Sequence, residues 1–548
     1  MKENNIQREN ERIHIPYDNI FKKEDGIYVI SKNKDNKEIE RKIARSVGIS
    51  KININIDDGT RKSYVYFDNM IGITEMEIQR DEYLNNKNLI KYQKYGMDIM
   101  GDTSYIIANH LRNEEEIAPK VFTHTNIGFS TYNEDIIYKL NSSIGIDSLY
   151  CGNLEIQPKG SRDIWISMFK DEVLGNPYLE FITVCSLSSI LIGYIGEELT
   201  LDNIIVHIFG NSSTGKSTAV KLAISLFGYP DVKKNGLFST FNATENALIR
   251  KLAGLKGVPF AFDELSMGNL TDTSSLIYKL ANGTDKSRLN KNLEEEKNSA
   301  WNTLIFTNGE KSLIKSANKN AGIQLRVIEI GNIKWTKDAT NADRINRTII
   351  ENYGHIGLEF AEFVMKIGKE KIIEQYNKTV IYLNKFLESK SVNDDFTSRR
   401  VNKFAVIMTT LTLFKKMLNI EISNKNILDI LLEIEKDSIK ERNFNRSAID
   451  YIKQYISVNG SKFEYFDKQI QSRDYLGKLN KIDDYTELVI TPIALDKILK
   501  EGGFEDKQVV LKELKKSGHL NCEADRYTRK RQLEKGITTT VHVIKIPN

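Results

Sequence analysis

The stretch "IIVHIFGNSSTGKSTAVKLAISLFG", residues 204–228, reads as a short apolar strand, a tight turn of small residues and a helix. Its turn fits the pattern G-x-x-x-x-G-K-[ST] at Gly210, Gly215, Lys216 and Ser217. Glycines at the first and sixth positions let the backbone curl so that successive N–H groups converge on an anion-sized hollow. The helix that follows adds the positive end of its dipole. Residues Gly210, Asn211, Ser212, Ser213, Thr214, Gly215, Lys216, Ser217 and Thr218 are therefore expected to cradle a triphosphate. Lys216 reaches the outer phosphates, and the Ser217 hydroxyl ligates Mg²⁺.

Further along, "GVPFAFDE" (residues 257–264) is an apolar strand ending in two acids. An aspartate there, Asp263, can hold the metal's water shell beside Ser217. The adjoining Glu264 can polarise an attacking water as general base. This acidic pair points to ATP rather than GTP. A third apolar strand, "NTLIFTNGE", carries Asn308 about as far beyond Asp263 as Asp263 lies beyond Lys216. In a parallel sheet it can lie between the two earlier strands, setting a polar amide beside the γ-phosphate. A turn role for the Asn-Gly pair is the plainer alternative.

Two arginine positions follow. Arg326 heads the strand in "NAGIQLRVIEI" and is a candidate arginine finger for a neighbouring subunit's ATP, a role worth about 10³–10⁵ in rate. Arg399 and Arg400 open a helical run, and Arg400 is the preferred second sensor of the γ-phosphate.

Working outward, strand and helix signals alternate through this region, as in a parallel sheet with crossover helices. The segments "RRVNKFAVIMTTLTLFKKML" and "NKNILDILLEIEKDSIKER" show helical periodicity and suit a lid or bundle. Before the loop, "GIYVISKN", "ININIDDG" and "KSYVYFDN" alternate apolar and polar residues, as strands do. Aromatics beside lysines there could stack on a single strand of DNA, but ordinary strand faces are the favoured reading. At the C-terminus, two helix signals precede two strand signals, "RYTRKRQ" and "ITTTVHVIKI", the order of a winged helix. From Lys507 onward there are ten Lys/Arg against four Asp/Glu, so basic charge concentrates in this module. Lys512, Lys515, Arg529 and Arg531 are its candidate DNA contacts.

The chain of 548 residues exceeds one ordinary core. The expected division is an α+β N-terminal domain (1–150), an α/β P-loop core (151–370), a helical lid (371–445) and a winged helix (446–548). Net charge of +4 is too mild for a global nucleic-acid signal. Cys151, Cys185 and Cys522 show neither disulfide nor metal spacing, which fits a reducing cytoplasm. The N-terminus lacks a signal-peptide core. The most apolar run, "FITVCSLSSILIGYIG" from Phe181, is shorter than the ~18–20 residues of a membrane span and is expected to be a buried helix.

The segments "GNSSTGKSTAVKLAISLFGYP", "STFNATENALIRKLAG", "FAFDELS", "IYKLANGTDKSRLNKN" and "NTLIFTNGEKSL" together resemble the ATPase of a family carried by phages and mobile genetic elements. It includes the MCM-like, self-loading replicative helicases of staphylococcal cassette chromosomes and pathogenicity islands. The resemblance implies an AAA+ fold, a homo-oligomeric ring (a hexamer), ATP-driven DNA unwinding and a C-terminal winged helix that engages duplex at an origin. It assigns Lys216, Asp263, Glu264, Asn308 and Arg326 the roles argued above. It also makes "TDKSRLNKN" a channel-facing hairpin in which Lys286, Arg288 and Lys291 touch the backbone of a single strand. The competing readings are an ATP-switched DNA-binding regulator and an AAA+ remodeller without processive unwinding.

Overall fold

The computed structural model describes residues 19–242, 244–264, 273–284, 300–315, 317, 321–394, 396–442, 444–465, 475–504, 506–534 and 537–547. The chain forms two compact units, Met1–Asn153 and Leu154–Asn548.

The first unit is built on a five-stranded mixed sheet, in the order Ser148–Tyr150, Lys120–His124, Val47–Asn55, Arg61–Asp68, Ile73–Ile78. Strand Arg61–Asp68 shows why: Ser63, Val65 and Phe67 point into the core, while Tyr64 and Tyr66 face outward. The helix Ser104–Ile117 covers the inner face with Ile107 and Leu111. The outward tyrosines meet lysines on neighbouring strands, with the Lys51 ammonium 4.5 Å from the centre of the Tyr64 ring. Lys62 pairs with Glu77 at 2.9 Å. Part of this face's positive charge is thus already matched.

The second unit holds a five-stranded, all-parallel sheet. Before it runs α1 (Pro177–Ile195), capped by Asn176, whose side chain accepts from the N–H groups of Tyr178 and Leu179. At 19 residues this helix is longer than the apolar run alone suggested; in length and composition it could cross a membrane, yet 89% of its most apolar 18-residue window is buried inside the fold. It is a core helix. The strands are β1 (Ile204–Phe209), β2 (Phe238–Thr240), β3 (Phe260–Asp263), β4 (Leu304–Gly309) and β5 (Val327–Gly331), and they lie in the order β2-β3-β4-β1-β5. Between them run α2 (Lys216–Ser225), after β1, and α3 (Ser274–Asn282), after β3. Burial on both faces explains the unbroken apolar runs of β1, β3 and β4.

Beyond the sheet come α4 (Thr397–Leu418) and α5 (Asn424–Arg442). Helix α4 packs on α1 and α5. One residue after Arg442 the chain enters α6 (Phe444–Val458), first helix of the C-terminal module. That module adds β6 (Phe463–Tyr465), β7 (Gly477–Ile482), β8 (Tyr485–Ile490), α7 (Pro492–Glu501), α8 (Lys507–Lys516), β9 (Arg529–Glu534) and β10 (Ile537–Pro547). Its sheet runs β6-β7-β8-β10-β9. Leu495, Ile498, Leu511 and Leu514 from α7 and α8 share one core with Leu488 and Ile544.

Candidate active site

Register brings the chemistry together. Phe209 lies opposite Gly309, so the loop after β1 emerges beside the end of β4. Phe262 lies opposite Thr307, which aligns Asp263 with Asn308. Three adjacent strands therefore deliver their motifs to one end of the sheet.

The loop itself is held open by glycine. Gly210 has φ of +136°, and an added Cβ would stand 3.1 Å from the Asn332 nitrogen. Gly215 has φ of +90°, and there a Cβ would meet Thr336 Oγ1 at 2.8 Å. Ser213 also adopts a left-handed φ of 62°. This is the curled backbone that an anion hollow requires. The Lys216 ammonium donates to the carbonyls of Gly210 at 2.9 Å and Asn211 at 2.6 Å. Burial draws its pKa below the ordinary value, opposed by the nearby Glu310 carboxylate. Glu310 also accepts from the Ser212 hydroxyl at 2.8 Å.

Asn308, 2% exposed, links the acidic pair. Its Nδ2 donates to Asp263 Oδ1 at 2.7 Å. Its Oδ1 accepts the backbone N–H of Glu264, also at 2.7 Å. The latter bond holds Glu264 at φ of 55°, a costly conformation for a residue with a side chain. Asn308 is thus a strand residue bonded to both acids, not a free turn.

Beneath the loop, His207 on β1 stacks on Phe209 and bonds Thr307 Oγ1 at 2.8 Å and the Lys311 carbonyl at 2.9 Å. Burial pulls its pKa down to about 4. The neutral ring must carry its proton on Nε2, because a carbonyl only accepts.

A cavity of about 800 Å³ opens here, lined by Ser212, Ser213, Gly215 to Thr218, Glu264, Asn308 and Glu310. Its opposite wall is Lys334, Thr336, Asp338 and Asp343, residues the sequence reading missed. The wall is tied to the loop by Trp335 N–H donating to the Thr214 carbonyl at 2.8 Å. The run "KWTKDAT" does carry one local signal, Asp338 as N-cap of the helix Ala339–Glu351. The glycine cradle, the lysine and the Ser217 hydroxyl line the cavity and fit a triphosphate with a hard cation, while Asp263 meets the site through its bond to Asn308.

Arg326 lies elsewhere. Val327 is opposite Ile205, so Arg326 sits at the other end of the sheet, about 20 Å of strand away from its own phosphate loop. Its guanidinium stacks over Tyr278 at 4.6 Å and donates to the Gly322 carbonyl at 2.8 Å. It lines a second cavity, about 340 Å³, with Asp202, Arg399 and Lys403.

Arg400 requires a correction. It is 2% exposed and paired at 2.6 Å with Glu435 of α5, itself fully buried. Its Nη1 donates to the carbonyls of Gln324 and Val327 at 2.7 and 3.1 Å. Among the described residues, none of α4 or α5 lines the cavity at the glycine loop. Its charge is matched in the interior by Glu435, and within its own subunit it stands apart from the loop cavity, contrary to the expectation for a sensor of that subunit's γ-phosphate.

Lys286, Arg288 and Lys291 lie outside the described residues. The described residues on either side, Thr284 and Ala300, form an antiparallel bridge. In the C-terminal module Lys512 is exposed and Arg531 half-buried. Lys515 donates to the Ala524 carbonyl beside the Tyr527 ring, and Arg529 donates to Asn521.

Comparison with known proteins agrees with this architecture. The chain shares its fold with a solved structure titled "SCCmec type IV Cch - active helicase", at a TM-score of 0.77 and 24% identity, covering 96% of this chain and 97% of that one. Residues 443–548 match the model described as the Cch helix turn helix domain. The resemblance to self-loading helicases of mobile elements therefore holds at the level of the fold. No curated protein matches in sequence. The model described as a domain of unknown function (DUF927) matches residues 20–301, more than half of the chain, and the chain belongs to that family.

Proposed function

We propose that this chain is an ATP-hydrolysing DNA helicase and replication initiator that works as a ring of identical subunits. The carrying observation is the division of the ATPase parts between opposite ends of one sheet. Cradle, acids and Asn308 lie at the C-terminal ends of the strands, and Arg326 lies at the N-terminal end of β5. The strand order, with β1 between the Asn308 strand and the Arg326 strand, supports reading this core as AAA+. The similar solved structure bears the words "active helicase" in its title, which favours unwinding over a plain switch.

In this reading Lys216 and the loop N–H groups bind the triphosphate of ATP. Ser217 and Asp263 would hold Mg²⁺, which when bound offsets charge between the outer phosphates. Glu264 takes a proton from the attacking water, and Asn308 keeps both acids aligned. Arg326 reaches the phosphates of an adjacent copy, with Arg399 in the same cavity as its companion. The C-terminal module engages duplex through α8 and the β9–β10 wing. Lys286, Arg288 and Lys291 would follow a single strand by its phosphates.

A forked-DNA unwinding assay with ATP and Mg²⁺ tests the proposal, run beside Glu264→Gln and Arg326→Ala. Strand separation should be lost in both variants while ATP affinity is kept. Mixing Arg326→Ala with Lys216→Ala subunits should restore part of the turnover. ATP hydrolysis without strand separation in the unaltered protein would reject the helicase in favour of an ATP-dependent switch.

A further inference from the structure

The correction at Arg400 exposes an arrangement no motif announces. Arg400 and Lys403 stand one turn apart on α4 and both turn toward the segment that ends in Arg326. Arg400 takes the carbonyls of Gln324 and Val327. The Lys403 ammonium takes those of Leu325 at 2.9 Å and Arg326 at 3.2 Å. Four consecutive carbonyls, 324 to 327, are thus held by two cations of one helix. A single short helix, Ala321–Gln324, precedes them, and four residues do not set a direction firmly.

Both cations are buried, Arg400 at 2% and Lys403 at 7% exposure. A buried cation is costly unless its hydrogen bonds are satisfied. An apolar pair would pack these helices without that cost, and carbonyls at a strand entry need only one donor each. Matching two charged donors to four successive oxygens fixes the backbone on which Arg326 is mounted. From that point its side chain runs to Tyr278 and into the 340 Å³ cavity.

We propose that Lys403 and Arg400 are positioning residues that clamp the 324–327 backbone to α4 and so hold the Arg326 guanidinium ready for a neighbouring subunit's ATP. The inference rests on the proposed role of Arg326 in trans. It makes α4 and the trigger one body, so that a shift of the helix is a shift of the guanidinium.

The electrostatics add a measurable signature. Burial brings the Lys403 pKa down to about 7, Asp202 opposes this, and Arg400 and Arg326 reinforce it. Arg399 faces the same cavity, and Glu435 matches the charge of Arg400. Below pH 7 the clamp is charged and tight. Above it a neutral amine holds the carbonyls less firmly, and turnover should decline.

The experiment measures ATP affinity, kcat and its pH profile for the full-length protein and for Lys403→Met, Lys403→Arg, Arg326→Ala and the double variant Lys403→Met/Arg326→Ala. Displacing a reacting group by about 1 Å can cost on the order of a hundredfold, and a loss of that size in kcat is expected for Lys403→Met with ATP affinity retained. The double variant should be no slower than Arg326→Ala alone. Lys403→Arg should keep most of the turnover and remove the decline above pH 7. The same decline should vanish in Arg326→Ala, a comparison that needs no change at Lys403 should Lys403→Met fail to fold. Multiplying losses in the double variant, or wild-type kcat in Lys403→Met, overturns the clamp while leaving the trans role intact. Unchanged turnover in Arg326→Ala overturns both.

Discussion

Replacing Asn308 by aspartate changes one atom's chemistry and almost nothing else. The Oδ1 that accepts from Glu264 N–H is kept, while the amide that donates to Asp263 becomes a carboxylate oxygen 2.7 Å from another. At an effective dielectric constant of about 20, two unit charges at that separation repel by about 6 kcal/mol. Half of that, after relaxation, still sets about 3 kcal/mol against the doubly ionised pair, which raises its upper pKa. The pair then titrates as a unit. Below the lifted pKa one carboxyl is protonated, donates to the other as the amide did, and the site works. As pH rises through it the repulsion is restored and Glu264 loses its anchor. Steady-state ATP turnover from pH 5.5 to 8.5 reads this directly. At pH 8 the Asn308→Asp variant should lose at least about thirtyfold in kcat, equivalent to about 2 kcal/mol, and regain activity as pH falls. A variant that tracks the wild type within about twofold at every pH would refute the assignment of Asn308 as the link between the acids.

Two further expectations concern the cradle and the C-terminal module. Gly215→Ala imposes a left-handed backbone worth about 1–2 kcal/mol and a contact with Thr336, so a fluorescent ATP analogue should bind more weakly. Adding Thr336→Ala should relieve the contact but not the backbone term. Lys512→Ala with Arg531→Ala should weaken duplex binding and reduce the salt slope by about 0.9 per lost phosphate contact, measured by anisotropy from low to moderate salt.

What was legible in the sequence was local. The loop between residues 210 and 217 announces itself because strand, turn and helix lie in one window. Asp263 and Asn308 were found because each ends an apolar strand, and parallel register then aligns strand ends. Arg400 misled because its surroundings are not local. Glu435, which matches its charge, lies on another helix, and the four carbonyls held with Lys403 come from the far side of the sheet. The wall at Lys334 and Thr336 was invisible for the same reason: only the folded backbone brings it opposite Gly215. In the first unit, strand alternation was readable, but the pairing of Lys62 with Glu77 depends on a neighbour strand.

The junction between α5 and α6 has a mechanical consequence. One residue separates the helix that carries Glu435 from the first helix of the C-terminal module. A single residue spans at most about 3.6 Å, so there is no leash on which the module could roam. Flexible tethers let a domain search a volume and dilute its grip on whatever it finds. On the proposed function, a duplex taken up by the module stays close to the helix that neutralises Arg400, with no long linker between them.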